Sequence, residues 1–171
     1  MAWESVGNIE SSPSYMCRLD SSYTLANSGS AQKLFNASTN GALTLPLGAY
    51  LFRSLYYLTG MSATSGYSSF KFGGTAVLGG VLMKVTGVDG AAAVAATQTG
   101  SSAITSAFPA SQNTATTATA QYSAVEGTFK VTTAGTLIPQ ITLVTAAAAV
   151  VAAGSYFECW PVATATEGPW S

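Results

Sequence analysis

The sequence predicts an all-β fold, a sandwich or barrel of eight to ten antiparallel strands, and three observations carry the prediction. Short runs of alternating apolar and polar residues follow one another at similar length, separated by Gly, Asn and Pro. No stretch sustains the apolar period of an amphipathic helix. There is no repeat of about 20–50 residues, no heptad and no Gly-X-Y run, which removes solenoids, propellers, coiled coils and collagen-like shafts.

The first twenty residues, MAWESVGNIESSPSYMCRLD, stand apart from this pattern, holding three of the seven acidic side chains with Trp3, Tyr15 and Met16. Residues 1–21 therefore read as an N-terminal arm and residues 22–171 as the folded domain. Trp3 and Tyr15 are candidate contacts of that arm, which either anchors the subunit to a neighbour or lies along its own domain. Strand and turn begin at Ser22. Tyr23 to Asn27 alternates, Asn-Ser-Gly-Ser interrupts, Ala31 to Asn36 forms a second short strand, and Asn40-Gly41 is a turn dipeptide.

The run Gly41 to Gly60, GALTLPLGAYLFRSLYYLTG, is the centre of the chain. Pro46 ends a strand because it offers no ladder N–H, and Leu47-Gly48 turns the chain. The strand Tyr50 to Leu58 then puts Tyr50, Phe52, Tyr56 and Leu58 on one side, and Leu51, Arg53, Leu55 and Tyr57 on the other. Both faces are mostly apolar, which fits a core on one side and a second layer or neighbouring subunit on the other.

Beyond Gly60 the expected strands are Gly66 to Gly73, a very short one bracketed by Gly73-Gly74 and Gly79-Gly80, and Val81 to Val88. Ala91 to Ala96 reads as a helical turn, since Ala is the strongest helix former, and Ser101 to Thr114, with Pro109, as a loop. Ala115 to Val125 is a Thr-rich strand, and Glu126-Gly127 turns into Thr128 to Thr133. Ala134-Gly135 turns again into Thr136 to Thr145. Ala146 to Ala153 reads as a strand edge or a short helix, and Ser155 to Val162 is the last strand.

Composition narrows the function. The chain is 48% hydrophobic but only 8% charged, against about 25% in an average soluble domain. So little charge suits a surface covered in an assembly or a life outside the cell. Six basic against seven acidic residues, with no Lys or Arg cluster, lack the footprint of a nucleic-acid binder. The opening MAWESVGNIE has no basic-then-apolar leader, so synthesis in a cytoplasm without export is expected. The longest apolar run, Ile141 to Ala153, has 13 residues, short of the ~20 a membrane helix needs.

Chemistry is sparse. The chain has no His, its carboxylates are scattered, and Cys17 and Cys159 form no Cys-x-x-Cys pair, so neither catalysis, a metal nor a cofactor is expected. The glycines Gly73-Gly74-x-x-x-x-Gly79 lack the Lys of a phosphate loop. Arg53 on the central strand either pairs with Glu126, Glu158 or a neighbouring subunit's carboxylate, or lies half-exposed along aromatic faces.

The order strand, Pro46-x-Gly48, then Tyr50-x-Phe52 resembles the tumour necrosis factor and complement globular-head superfamily of trimeric jelly rolls. The run Ser22 to Gly60 is similar to the small jelly-roll domains of tailed-bacteriophage decoration proteins, head fibres and tail fibres. GTFKVTTAGTLIPQITL (Gly127 to Leu143) and GSYFECWPV (Gly154 to Val162) resemble the last strands of such a domain. The resemblance implies a TNF-like jelly-roll β-sandwich, a homotrimer, and first and last strands side by side. On that arrangement a Cys17–Cys159 bridge is conceivable; the plainer reading, favoured by cytoplasmic synthesis, is two buried thiols.

The implied function is a non-enzymatic virion structural protein, a capsid decoration or cement protein or head fibre. Its partners would be further copies of itself and the major capsid protein or another virion protein, without nucleic acid or membrane insertion. Trp3, Tyr15, Arg53 and Tyr57 are the expected assembly contacts. A tail-fibre or spike module attaching to a host-surface glycan is the alternative, with exposed aromatics such as Tyr122 or Trp170 stacking on sugar rings. With only about twenty residues before the jelly roll, a compact subunit seated on the particle is the expectation over a fibre tip.

Overall fold

A computed structural model describes residues 14–35, 41–64, 66, 68–89, 98–104, 112–114 and 119–162. These residues form strands and turns with no helix among them, and the all-β expectation holds. The strands are β1 (Tyr15–Arg18), β2 (Tyr23–Thr24), β3 (Gln32–Lys33), β4 (Leu43–Leu45), β5 (Gly48–Thr59), β6 (Ser68–Gly74) and β7 (Val77–Asp89). They continue as β8 (Gln98–Ile104), β9 (Gln112–Thr114), β10 (Gln121–Thr133), β11 (Gly135–Leu143), β12 (Val150–Val151) and β13 (Tyr156–Val162). The larger antiparallel sheet runs β1-β13-β5-β10-β7-β8, with β12 on β5 and β2 on β12. The smaller runs β3-β11-β6-β9, with β4 also on β11. Thirteen strands replace the expected eight to ten partly because two lines are broken: β12 and β13 follow one another along β5, and β2 and β1 lie outside them.

β5 is the central strand. It lies between β10 and the β12–β13 line, and Tyr50, Phe52, Ser54, Tyr56 and Leu58 all point inward and are buried. The two sheets meet through rings. Phe72 of the smaller sheet packs edge-on against Phe52 (5.0 Å between centroids), Phe129 (5.4 Å) and Phe157 (5.8 Å) of the larger. Tyr56 stacks on Phe70 at 6.3 Å. Such pairs add about 0.5–1.5 kcal/mol each beyond the area they bury.

Glycine explains where the sequence reading departs from the structure. Gly79-Gly80 does not separate two strands but lies inside β7, where Gly80 takes a φ of +61°. There the β7–β10 register shifts between Thr128 and Lys130, so the pair makes a β-bulge in one long strand. Gly127 likewise lies inside β10 and not in a turn after Glu126. A Cβ at Gly127 would run into the Leu82 carbonyl oxygen and come within 2.9 Å of Met83 Cα, so glycine is needed where the β7 backbone approaches. The segment Ser101 to Thr114, expected as a loop, contributes part of β8 and all of β9. Ala146 to Ala153 takes its strand alternative through β12. The helical turn at Ala91 to Ala96, Pro109, Asn40-Gly41's Asn, Trp3 and Trp170 lie outside the described residues.

Residues 15–18 of the segment read as an arm are edge strand β1, antiparallel to β13. Tyr15 meets Tyr50 edge-on at 6.3 Å, and Leu19 is buried with its N–H donated to the Ser155 carbonyl at 2.9 Å. Tyr15, Cys17 and Leu19 fall on alternate positions, a two-residue period that places them all toward the core.

Candidate assembly face

The alternation that fills the core leaves the other side of the larger sheet facing outward. Register across four strands builds that face row by row. One row is charged: Glu158 of β13, Arg53 of β5, Glu126 of β10 and Lys84 of β7 are neighbours in that order, alternating in sign. The Arg53 guanidinium donates from Nε to Glu158 Oε1 and lies 6.0 Å from the Trp160 ring centroid. Lys84 Nζ stands 3.6 Å from Glu126 Oε1. Both expectations for Arg53 thus meet in one geometry, an ion pair and an aromatic face, with Glu158 chosen over Glu126. Glu158, by hydrogen bond and then by charge, raises the Arg53 pKa above its ordinary value. The Glu158 side chain is only 17% exposed, while Arg53, Lys84 and Glu126 are 60%, 54% and 67% exposed. Pairs this open contribute little stability in water.

Apolar rows flank the charges. On one side Trp160, Leu51, Thr128 and Leu82 are in register, with Leu82 half-exposed. On the other lie Tyr156, Leu55, Ala124 and Thr86. Beyond them Tyr57 and Tyr122 are direct cross-strand partners, their rings 6.2 Å apart and tilted by 46°. Tyr122 is exposed, and the two rings wall a cavity of about 200 Å³ with Leu55, Ala153 and Ser155. Arg53 and Tyr57, both predicted contacts, therefore share this face. Tyr15 does not, because its ring turns to the core, and Trp3 lies outside the described residues. Lys84, Leu51, Leu82 and Trp160 were not singled out from the sequence as contacts. The signal available for them was strand alternation alone.

Among the described residues no three His, Cys, Asp or Glu side chains gather as a metal site would require. Cys17 and Cys159 are free thiols placed diagonally, Cys159 opposite Tyr15 and Cys17 opposite Phe157. Burial pushes Cys17 up to about 11, a Phe157 backbone hydrogen bond opposing it. Burial, helped by Cys17 and Glu158, pushes Cys159 up to about 12. Both are thus protonated at neutral pH and make poor nucleophiles. A buried polar cluster joins the sheets instead: Ser68 Oγ donates to Gln121 Oε1 (3.0 Å), and Gln121 Nε2 donates to Ser123 Oγ (2.9 Å). Burial lifts the neighbouring Tyr56 phenol to about 12, partly opposed by Ser123 and Ser68. Every member is neutral near pH 7, so the cluster ties β6 to β10 and supplies no acid or base. No protein-family model, curated protein or solved structure matches the chain.

Proposed function

We propose that the chain is a non-enzymatic virion structural protein of a tailed bacteriophage, a capsid decoration or cement subunit or head fibre, that works as a homotrimer of jelly-roll domains. The jelly-roll reading is supported by the way successive strands change sheets. From β4 the chain runs smaller sheet (β4), larger (β5), smaller (β6), larger (β7 and β8), smaller (β9), larger (β10), smaller (β11) and larger (β12 and β13). The first strand, β1, also lies beside the last, β13, as the resemblance implies. The phage context rests on that sequence resemblance.

The observation that carries the assembly role is the outward face of the larger sheet. It bears Leu51, Leu82, Tyr122 and Met16 exposed around a charge row that sums to zero. An exposed apolar face in a chain with 8% charged residues is suited to being covered. Sedimentation velocity at micromolar concentration should give three times the 17.3 kDa chain mass. Monomers there, with no trimer in purified particles, overturn the reading. Negative-stain images of particles carrying antibody to this chain would place it on head or tail.

A second reading, a host-attachment module that binds a surface glycan, is favoured by the Tyr57–Tyr122 cleft, where two tilted rings and Ser155 line a small cavity. Saturable binding of the chain to a glycan array, abolished in Tyr122→Ala, would support it.

A further inference from the structure

The reading that copies of the chain meet over the outward face of the larger sheet leaves the charge row to be explained. A face destined to be covered usually loses its charges, yet four of the few in this chain stand in one line across it. Their order decides what fits on top. Where copies meet about a threefold axis, with the Glu158–Arg53 half of one row against the Lys84–Glu126 half of the next, a row that alternates in sign sets every facing pair at opposite charge. A nucleic acid or a uniformly charged partner would meet two like charges wherever it lay. The occupant that suits the row is therefore a second copy of this chain.

We propose that the row Glu158–Arg53–Glu126–Lys84 makes this contact acid-sensitive, so that copies hold together while both glutamates are ionised and separate when both are protonated. The inference rests on the self-association reading above.

The argument is one of stranded charge. In each subunit Arg53 has Glu158 and Lys84 has Glu126, so covering the face leaves no charge of the row alone. Leu51 and Leu82 on one side and Leu55 and Ala124 on the other make the surroundings apolar once water is expelled. Acid does not remove the charge of a guanidinium or an ammonium group. Protonating the two glutamates then strands two cations per subunit under the partner, and an unpaired covered charge opposes association strongly.

Separation returns the stranded Arg53 and Lys84 to water, so protonation of the row favours the separated subunits. Association is thus full above the ordinary carboxylate range, near pH 4.3, and lost as pH falls through it. Around the row one further carboxylate, Asp20, stands at the sheet edge with its own partner. β1 brings Met16 and Arg18, the latter held by Asp20 at 2.7 Å at the sheet edge. β13 brings Tyr156 and Trp160, β10 brings Lys130 two rows away, and β8 sets Ser101 opposite Lys84 in register.

The test is sedimentation velocity of the full chain at about pH 7.5 and about pH 4, with circular dichroism reporting the fold at each. The dissociation constant should rise at least about tenfold at the lower pH. The pair Glu126→Gln and Glu158→Gln should associate as weakly at pH 7.5 as the parent does in acid. Adding Arg53→Met and Lys84→Met should restore association and make it equal at both values. A parent equally associated at both, or a Glu126→Gln/Glu158→Gln protein as tight as the parent at pH 7.5, overturns the inference and leaves self-association standing. A parent that is monomeric at pH 7.5 removes the self-association reading itself and this inference with it.

Discussion

Phe72→Ala puts the face-to-face packing of the two sheets to its hardest test. Phe72 is fully buried on β6, and its ring packs against Phe52, Phe129 and Phe157 from the opposite sheet and Phe70 beside it at 5.2 Å. Removing a fully buried ring costs roughly 3–5 kcal/mol, the transfer of its atoms plus the cavity left behind. The upper half of that range applies here, because the walls of the cavity would be rings held by both sheets and slow to collapse. In a chain of 171 residues each kcal/mol is worth about 2–4 °C, so the melting temperature should fall by about 8–20 °C. Phe72→Leu keeps most of the volume and should cost only about 1 kcal/mol. Urea unfolding followed by tryptophan fluorescence, at one fixed protein concentration so that association does not confound it, measures both. A Phe72→Ala loss below about 1 kcal/mol, typical of a surface site, would mean that the sheets do not close on this residue.

Gly127→Ala should destabilise by about 1–3 kcal/mol in the same urea assay, because a Cβ there meets the β7 backbone, which cannot move aside as a side chain can. Tyr57→Ser with Tyr122→Ser should weaken self-association by about 2 kcal/mol, roughly thirtyfold in sedimentation, while the urea midpoint of the isolated subunit hardly changes. Stability should fall in alkali. Cys17, Cys159 and Tyr56 stay neutral in the fold, to about 11, about 12 and about 12, whereas in the unfolded chain thiols ionise near 8.5 and phenols near 10. Their raised values stabilise the fold fully below about pH 8.5 and lose that effect as pH climbs toward 12, so the urea midpoint should drop from pH 9 upward. Cys17→Ala with Cys159→Ala should make that drop shallower, and an unchanged slope would show the thiols are not shielded.

The parts of the fold legible in the sequence are those where large side chains alternate. Tyr50 to Leu58 announced both faces of β5, and the strand Gly66 to Gly73 carries Phe70 and Phe72 two residues apart on the inward side of β6, since bulky residues at period two leave no other packing. Glycine misled because one residue serves two purposes. At Ala134-Gly135 it turns the chain, while at Gly79-Gly80 and Gly127 it lets neighbouring backbones approach inside a strand. Gln98 to Ile104 is built of small and polar residues whose hydropathy hardly alternates, so its pairing with β7 left no local trace. The face followed the same logic. Arg53 and Tyr57 were readable from the alternation of their own strand. The choice of Glu158 over Glu126 as the Arg53 partner was not, since it depends on side-chain placement between strands set side by side only by the sheet order. Of the two readings of the opening segment, Tyr15 takes the one in which it lies along its own domain; its strand was not readable because β1 is four residues long, too brief for its period to stand out.

The pairing of β5 has a consequence for how the chain comes into being. Its ladder partners are β10 on one side and β12 and β13 on the other, and the Arg53–Glu158 contact spans 105 positions. During synthesis the most aromatic segment of the chain emerges long before either neighbour exists, and no local hairpin can shelter it. Closure must wait until nearly the whole domain has left the ribosome, so folding is slow, late and dominated by distant contacts. In that interval Tyr50, Phe52, Tyr56 and Tyr57 are open to any passing strand. Yield on expression should therefore depend more on temperature and on chaperones that cover nascent chains than on the stability of the finished fold.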